Sequence, residues 1–318
     1  MCVRIASGGK SDVGRQRTNN EDSFRIVEAL NLFVISDGMG GEAHGEIASA
    51  MAVETLVKFC SEGDQTTTRS MATGTVGMTQ PSAEDGITEI PALRKGSASR
   101  LPLSATEETL FAGAQSGWSE KTKRLFAAGH LANKTIFESA QKHPEQQGMG
   151  ATLTAAWIDG EKLSIAHVGD SRVYLLRSGA LEQLTKDHSL VAEQMRRGIL
   201  TAEEAERSQM QSVLLRALGT HEEVEVDAEE HVLFEQDILL LCSDGLTRMV
   251  ADRDIARTLR AESEPHKAAD ELVALANKNG GADNVTAIVV RMESEKGFFS
   301  WLRRGAPKDA DKESAEGI

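Results

Sequence analysis

The chain has 318 residues, of which 40% are hydrophobic, and its formal net charge is −14 at pH 7. This length allows one large domain or two small ones with a sizeable core. The acidic balance argues against a protein that binds the phosphate backbone of nucleic acids, because that binding needs a basic surface.

The first half of the chain predicts a hairpin and two long helices. Two short apolar runs, 24–28 and 32–36, predict the hairpin, and apolar residues at helical spacing follow between Ala48 and Phe59. Residues 61–104 are rich in Ser, Thr and Gly and have no periodicity, which predicts a mobile insertion. A second helical stretch covers about 106–143, although its glycines weaken it.

The second half of the chain is dominated by strands. Asp159-Gly160 and Ser178-Gly179 are hairpin signals between the predicted strands 151–158, 162–168, 172–176 and 180–184. Residues 188–220 are polar and helical in character, and two more strands (231–234 and 238–242), two helices (252–261 and 265–279) and a last strand (285–292) follow. Consecutive antiparallel strands with paired helices predict an α+β fold, a four-layer α-β-β-α sandwich. We expect one domain over 1–295, interrupted by the insertion, and a C-terminal tail over 296–318.

The cysteines and the hydropathy profile bear on location. Cys2, Cys60 and Cys242 are odd in number and far apart, which predicts buried thiols in a reducing compartment. No apolar run approaches the ~18 residues that a membrane span needs. The N-terminus also lacks the apolar centre of a signal peptide. We therefore expect a cytoplasmic protein without an integral membrane segment.

Four aspartates share one context. Asp37, Asp170, Asp244 and Asp283 each follow or precede a predicted strand at a glycine-containing turn. A single such residue is explained as turn chemistry, but that explanation is weak for all four together. Converging carboxylates repel each other unless a cation neutralises them, and an all-oxygen ligand set favours Mg²⁺ or Mn²⁺. The sequence therefore predicts a divalent metal site.

An N-terminal segment adds positive charge to this set. Arg17 precedes the acidic pair Glu21 and Asp22. Arginine can bind a phosphate dianion with two hydrogen bonds, and the two acidic residues can hold metal-bound waters. A solvated run of charges is the alternative interpretation.

Together these motifs resemble the PP2C (PPM) family of metal-dependent Ser/Thr protein phosphatases, in its bacterial form. The resemblance covers about 4–292, apart from 61–104. It rests on six ordered motifs: Gly14-Arg-Gln-Arg-Thr-Asn-Asn-Glu-Asp22, Ser36-Asp-Gly-Met-Gly-Gly41, Gly148-Met-Gly-Ala-Thr152, His167-Val-Gly-Asp-Ser-Arg172, Ser243-Asp-Gly-Leu246 and Gly281-Ala-Asp-Asn-Val-Thr286.

The resemblance implies a role for each metal-site residue. Asp37 would bridge two Mn²⁺ or Mg²⁺ ions, and Gly38 would offer its carbonyl to one of them. Asp244 and Asp283 would be ligands of the other ion. Asp170, together with Asp244, matches a third and looser metal position.

The resemblance also implies the roles around the phosphate. Arg17 matches the phosphate-binding arginine, Glu21 a ligand that acts through water, and Asp22 a residue that orients the attacking water. Asn284 would support Asp283 by hydrogen bonding. Residues 188–220 match the flap beside the site.

One departure from the family pattern concerns the proton donor. Met39 and Glu42 stand where family members carry histidine. His44 is therefore a candidate general acid, and a metal-bound water is its main competitor. His167 and His188 are predicted to be structural.

The implied activity is hydrolysis of phosphoserine and phosphothreonine by direct attack of a metal-bridging water. The expected partners are phosphorylated proteins, including a Ser/Thr kinase that the enzyme opposes, and the expected state is a monomer. One alternative is a phosphatase dedicated to a single regulatory partner, such as a phosphorylated anti-sigma-factor antagonist. Another is a non-catalytic phosphoprotein-binding module, whose signature would be loss of metal ligands.

Overall fold

Within residues 3–40, 44–71 and 110–294, which the computed structural model describes, eleven β-strands form two antiparallel sheets. The first sheet has the order β1-β11-β10-β7-β8. Its strands are β1 (Val3–Asp12), β7 (Arg172–Arg177), β8 (Ala180–Gln183), β10 (Ile238–Cys242) and β11 (Val285–Ser294). The first and last strands pair along their whole length, from Val3 opposite Ser294 to Asp12 opposite Val285.

The second sheet has the order β2-β3-β5-β6-β9, and the short β4 pairs with the end of β3. Its strands are β2 (Asp22–Val27), β3 (Leu32–Met39), β4 (Gly150–Ala151), β5 (Leu153–Asp159), β6 (Lys162–Val168) and β9 (Asp227–Val232). A short 3-10 turn, Glu28–Leu30, joins β2 to β3, and Asn31 closes it in the left-handed conformation with φ 52°.

Seven α-helices lie within the described part of the chain. They are α1 (His44–Met71), α2 (Glu120–Lys142), α3 (Leu190–Arg196), α4 (Ala202–Glu206), α5 (Asp244–Thr247), α6 (Asp252–Ala261) and α7 (Pro265–Lys278). A second 3-10 turn spans Pro144–Gln146. Ser119 caps α2, because its side chain accepts a hydrogen bond from the Thr122 amide.

The layers follow from the period of two along the strands. In β3, Phe33 and Ile35 pack between the two sheets, whereas Leu32 and Val34 pack on the outer side with α1 and α2. The outer face of the first sheet packs against α6 and α7, with Leu240 beside Leu272 in one buried cluster. The predicted four-layer sandwich of two antiparallel sheets between helices is confirmed.

Three element boundaries differ from those predicted. The second long helix begins only at Glu120, and the segment before it contains a turn in which Gly113 adopts a positive φ of 92°. The strand predicted at 231–234 lies at Asp227–Val232, an edge strand whose acidic residues follow no alternating pattern and gave no apolar signal. The region 188–220, predicted to be helical in character, contains α-helix only at Leu190–Arg196 and Ala202–Glu206.

The remaining predictions concern the insertion, the C-terminal tail, the cysteines and a membrane segment. The helix α1 continues to Met71, past the predicted start of the insertion at 61, and the remainder of 61–104 lies outside the described residues, as does the tail 296–318. Cys60 and Cys242 are buried free thiols, as predicted, and burial raises the pKa of each to about 12. None of the described helices is long and apolar enough to cross a membrane.

Candidate active site

Both sheets end in acidic residues at one shared cleft of about 440 Å³. Asp37 lies in β3, Asp170 comes two residues after β6, and Asp244 comes two residues after β10. Asp283 lies two residues before β11. Because these strand ends meet at the same edge of the sandwich, four aspartates that are distant in sequence line one cleft, as predicted.

The two Ser-Asp-Gly motifs were predicted to be turns, and this was wrong. Gly38 lies within β3 and Gly245 within α5, and neither has a positive φ. Glycine is needed for close packing instead: a Cβ on Gly38 would lie 2.0 Å from the Gly45 carbonyl oxygen, and one on Gly245 would lie 2.0 Å from that of Asn284. Both aspartates are thus held by backbone that packs against them.

Asp22 and Asp37 face each other across the β2–β3 ladder. The Asp37 amide donates to Thr152 Oγ1 at 2.8 Å, and the Thr152 amide donates to the Asp37 carbonyl at 2.8 Å. Asp22 is buried below the cleft, where its Oδ2 accepts hydrogen bonds from Ser243 Oγ at 2.8 Å and Thr286 Oγ1 at 2.6 Å. These bonds fix the backbone of Asp37 and the carboxylate of Asp22.

The pKa values of Asp22, Asp37 and Asp170 lie above their usual range. Burial, followed by repulsion from neighbouring carboxylates, raises the pKa of Asp37 well above its ordinary value. Burial raises the pKa of Asp22 to about 7, although its two hydroxyl donors oppose the shift. Burial and the charge of Asp244 raise the pKa of Asp170 to about 8. These raised pKa values show that several carboxylates are buried close together without enough positive charge to neutralise them.

Two arginines supply part of the missing positive charge. Arg17 Nη2 contacts Asp283 Oδ2 at 2.9 Å, and half of the arginine side chain is exposed. Arg248 Nη2 contacts Asp244 Oδ2 at 2.5 Å, and its guanidinium also lies 3.9 Å from Asp170 Oδ2. The prediction placed Arg17 at the site but missed Arg248, because an arginine after Ser-Asp-Gly-Leu-Thr belongs to no motif considered.

The loop that carries Arg17 and Glu21 is fastened by Asn284. The Asn284 side chain accepts from the Glu21 amide at 2.8 Å and donates to the carbonyls of Val13 and Asn19. Only the backbone amide of Asn284 contacts Asp283, at 2.9 Å to Oδ1. The predicted support of Asp283 therefore comes from the Asn284 backbone, while the side chain positions the loop. Burial raises the pKa of Glu21, which lines the cleft.

The histidines occupy distinct places. His44 is the first residue of α1, near Gly40, and does not line the cleft, whereas Met39 does. His167 is buried, and burial lowers its pKa to about 4. His188 Nδ1 accepts from the Gly169 amide at 3.1 Å and its Nε2 contacts Asp227, so it supports the backbone beside Asp170. Glu42 lies outside the described residues.

The chemistry of the donors fits a hard cation. Two buried carboxylate oxygens, Asp22 Oδ1 and Asp244 Oδ1, have no hydrogen-bond partner in the described part of the chain. Carboxylate oxygens select Mg²⁺ or Mn²⁺ over zinc or copper. Among those same residues, no group of three or more His, Cys, Asp or Glu side chains is arranged so that it could hold a metal ion. The Arg248 guanidinium lies among the carboxylates instead.

A family model described as protein phosphatase 2C matches residues 9–279. The chain belongs to this family. A serine/threonine phosphatase, stp, of Listeria monocytogenes is 35% identical over 293 residues, covering 91% of this chain and 96% of that protein. The predicted PP2C resemblance is thereby confirmed.

Solved structures of the family share the fold. The serine/threonine phosphatase PstP/Ppp of Mycobacterium tuberculosis superposes with a TM-score of 0.69 at 32% identity, covering 92% of this chain and all of that one. The catalytic domain of PstP in complex with two manganese ions gives a TM-score of 0.68 at 31% identity, with the same coverage. The PP2C architecture therefore accounts for the described sandwich as a whole.

Proposed function

We propose that this protein is a metal-dependent phosphatase that hydrolyses phosphoserine and phosphothreonine in other proteins. The observation that carries the proposal is the cleft itself, where buried carboxylates from both sheets meet beside Arg17. The named Ser/Thr phosphatases among the relatives support it. The alternative of a non-catalytic binding module finds no support in the site, because all four predicted aspartates are present in the cleft.

The proposed ions are Mn²⁺ or Mg²⁺. The manganese reported for PstP supports the choice, as does the all-oxygen donor set here. Two ions, when bound, would lower the pKa of a water molecule and stabilise negative charge on the phosphoryl oxygens. The residues proposed to hold the two ions are Asp37, the Gly38 carbonyl, Asp244, Asp283 and Glu21 through water. Asp170 lies beside Asp244, where the family resemblance implies a third position.

The remaining residues would bind the substrate and move protons. Arg17 is half exposed and can turn its guanidinium from Asp283 to a phosphate dianion, which it matches with two hydrogen bonds. Asp22 has Oδ2 fixed by two hydroxyls, and its free Oδ1 can accept a hydrogen bond from the attacking water. The proton for the leaving serine or threonine oxygen would come from a water at the metal centre or from His44, which lies near Gly40 but does not line the cleft.

The test of the proposal is metal-dependent release of phosphate from phosphoserine and phosphothreonine peptides. EDTA should abolish turnover, and Mn²⁺ or Mg²⁺ should restore it. Asp37→Asn and Asp244→Asn should each lose more than about 100-fold in kcat/KM, since residues that merely support metal ligands already cost about 10–100-fold. Asp270→Asn, an exposed helix position, is the matched control. Full turnover in EDTA, or in either site variant, would contradict the metal assignment.

The role of His44 has a separate test. Protonation matters for a serine or threonine leaving group but little for p-nitrophenolate, which leaves readily. His44→Gln should therefore lower kcat on phosphopeptides much more than on p-nitrophenyl phosphate. An equal loss on both substrates would assign the proton to another donor.

The finer parts of the proposal concern partners and organisation. We propose that the substrates include a Ser/Thr kinase, that the enzyme acts as a cytoplasmic monomer, and that residues 1–295 form one catalytic domain. A panel of phosphopeptides together with an autophosphorylated kinase separates a general phosphatase from one dedicated to a single partner. Light scattering on the eluted peak of a sizing column checks the monomer.

A further inference from the structure

Arg248 lies where three carboxylates of the cleft approach each other. Its Nη2 contacts Asp244 Oδ2 at 2.5 Å and lies 3.9 Å from Asp170 Oδ2, and its Nη1 lies 3.8 Å from Asp283 Oδ2. About a quarter of the arginine side chain is exposed, so the guanidinium is substantially withdrawn from water. Its Nη1 also donates to Ser212 Oγ at 3.4 Å, within the predicted flap.

The two oxygens of Asp244 have different surroundings. Oδ2 is taken by Arg248, whereas Oδ1 is buried without a hydrogen-bond partner. One carboxylate can therefore serve a fixed cation through one oxygen and an exchangeable ion through the other. Among the described residues, Arg248 forms the ion pair with Asp170, whereas the nearby Arg172 makes three hydrogen bonds with Asp187.

We propose that Arg248 is a built-in cation at the Asp170–Asp244 position, so that this protein binds two divalent ions and not a third. The inference rests on the proposed metal centre. A guanidinium keeps its charge at every physiological pH and is tethered at the site, so a free ion would have to displace a charge that cannot be lost by deprotonation. A third ion brought next to it would also meet a like charge at contact distance.

The charge distribution agrees with this assignment. Among the described residues, Arg248 is the cation that forms ion pairs with both Asp170 and Asp244. Without it, the two carboxylates would face each other uncompensated, which is the arrangement that recruits a divalent cation.

The test is a count of bound Mn²⁺ by calorimetric titration and by electron paramagnetic resonance of the free ion. The wild-type protein should bind two ions per chain, and Arg248→Gln should bind three, because the position beside Asp170 is then vacant and negative. Arg257→Gln removes an exposed arginine that pairs with Asp254 on α6, and it should leave the count at two.

The outcomes separate this inference from the proposed function. Three ions in the wild-type protein, or two in Arg248→Gln, would overturn the role of Arg248 while leaving the metal centre intact. No bound Mn²⁺ in the wild-type protein would refute the metal centre and this inference with it.

Thermal unfolding gives a second readout that is independent of activity. In EDTA, Arg248→Gln should melt about 2–4 °C below the wild-type protein, because two buried carboxylates lose their counter-charge. Saturating Mn²⁺ should remove this difference, since the added ion takes the place of the arginine. A difference that persists unchanged in Mn²⁺ would show that Arg248 only supports packing, and would overturn the proposal.

Discussion

Replacing Asp170 by asparagine should stabilise the metal-free protein. Asp170 is buried, and its pKa is raised from 3.8 to about 8 by burial and by the charge of Asp244. The folded protein therefore binds more protons at this group than the unfolded chain does between these two values. Stability falls as the pH rises through this range, because the unfolded state increasingly gains from ionising the group.

The size of the effect follows from the two pKa values. Each pH unit above 3.8 lowers the free energy of unfolding by about 1.4 kcal/mol until the pKa of Asp170 in the folded protein is reached. The total loss is about 4 kcal/mol at pH 7 and about 2 kcal/mol at pH 5. Asparagine has nearly the same shape and does not ionise. With about 2 °C per kcal/mol for a chain of this length, Asp170→Asn should raise the melting temperature in EDTA by about 8 °C at pH 7 and about 4 °C at pH 5.

The assay is thermal unfolding followed by circular dichroism in EDTA at both pH values. Asp270→Asn, on the exposed face of α7, is the control and should shift the melting temperature by less than about 1 °C. A variant at Asp170 that melts at or below the wild-type temperature at pH 7 would refute the reasoning. A rise of equal size at both pH values would refute the electrostatic origin, since only packing would then explain it.

Two further variants test the support of the site. Thr286→Val removes one of the two hydroxyls that donate to Asp22 and should raise the pKa of this carboxyl group further. The acidic limb of the kcat/KM profile should then shift to higher pH. The free energy of unfolding should fall by about 1–2 kcal/mol. Gly38→Ala places a Cβ 2.0 Å from the Gly45 carbonyl oxygen and should cost about 3 kcal/mol or more in denaturant unfolding.

Each of these variants has a matched comparison. Gly117→Ala meets nothing within 4 Å and should be nearly neutral, so equal losses at Gly117 and Gly38 would remove the packing argument. Thr286→Ser keeps the hydroxyl and should keep the pH profile of the wild-type protein. A shifted profile in the serine variant would mean that the methyl group, not the donor, matters at this position.

The sequence predicted those elements whose apolar pattern lies within one short segment of the chain. The apolar run 32–36 predicted a buried strand, and the aspartate that follows this run lines the cleft. The edge strand Asp227–Val232 was displaced in the prediction because its acidic residues do not alternate with apolar ones. Gly38 was misinterpreted for a different reason: a glycine that serves a turn and one that admits a neighbouring backbone look the same in sequence.

The supporting contacts of the site could not be predicted, because they join distant segments. The hydroxyl of Ser243 serves Asp22 from 221 positions away, and the Asn284 side chain serves the loop of Glu21. Arg248 follows Asp244 by one helical turn, a spacing that signals an ordinary surface ion pair. Only the fold shows that this pair lies inside the cleft.

The pairing of β1 with β11 makes the cleft depend on the last of the described strands to be synthesised. Arg17 lies just after β1, and Asp283 comes two residues before β11, which also borders β10 in the same sheet. While the ribosome still shields residues 285–294, β1 lacks its only strand neighbour in the described sheet and Asp283 has no fixed place. The nascent chain therefore lacks a complete cleft until β11 has emerged and paired with β1.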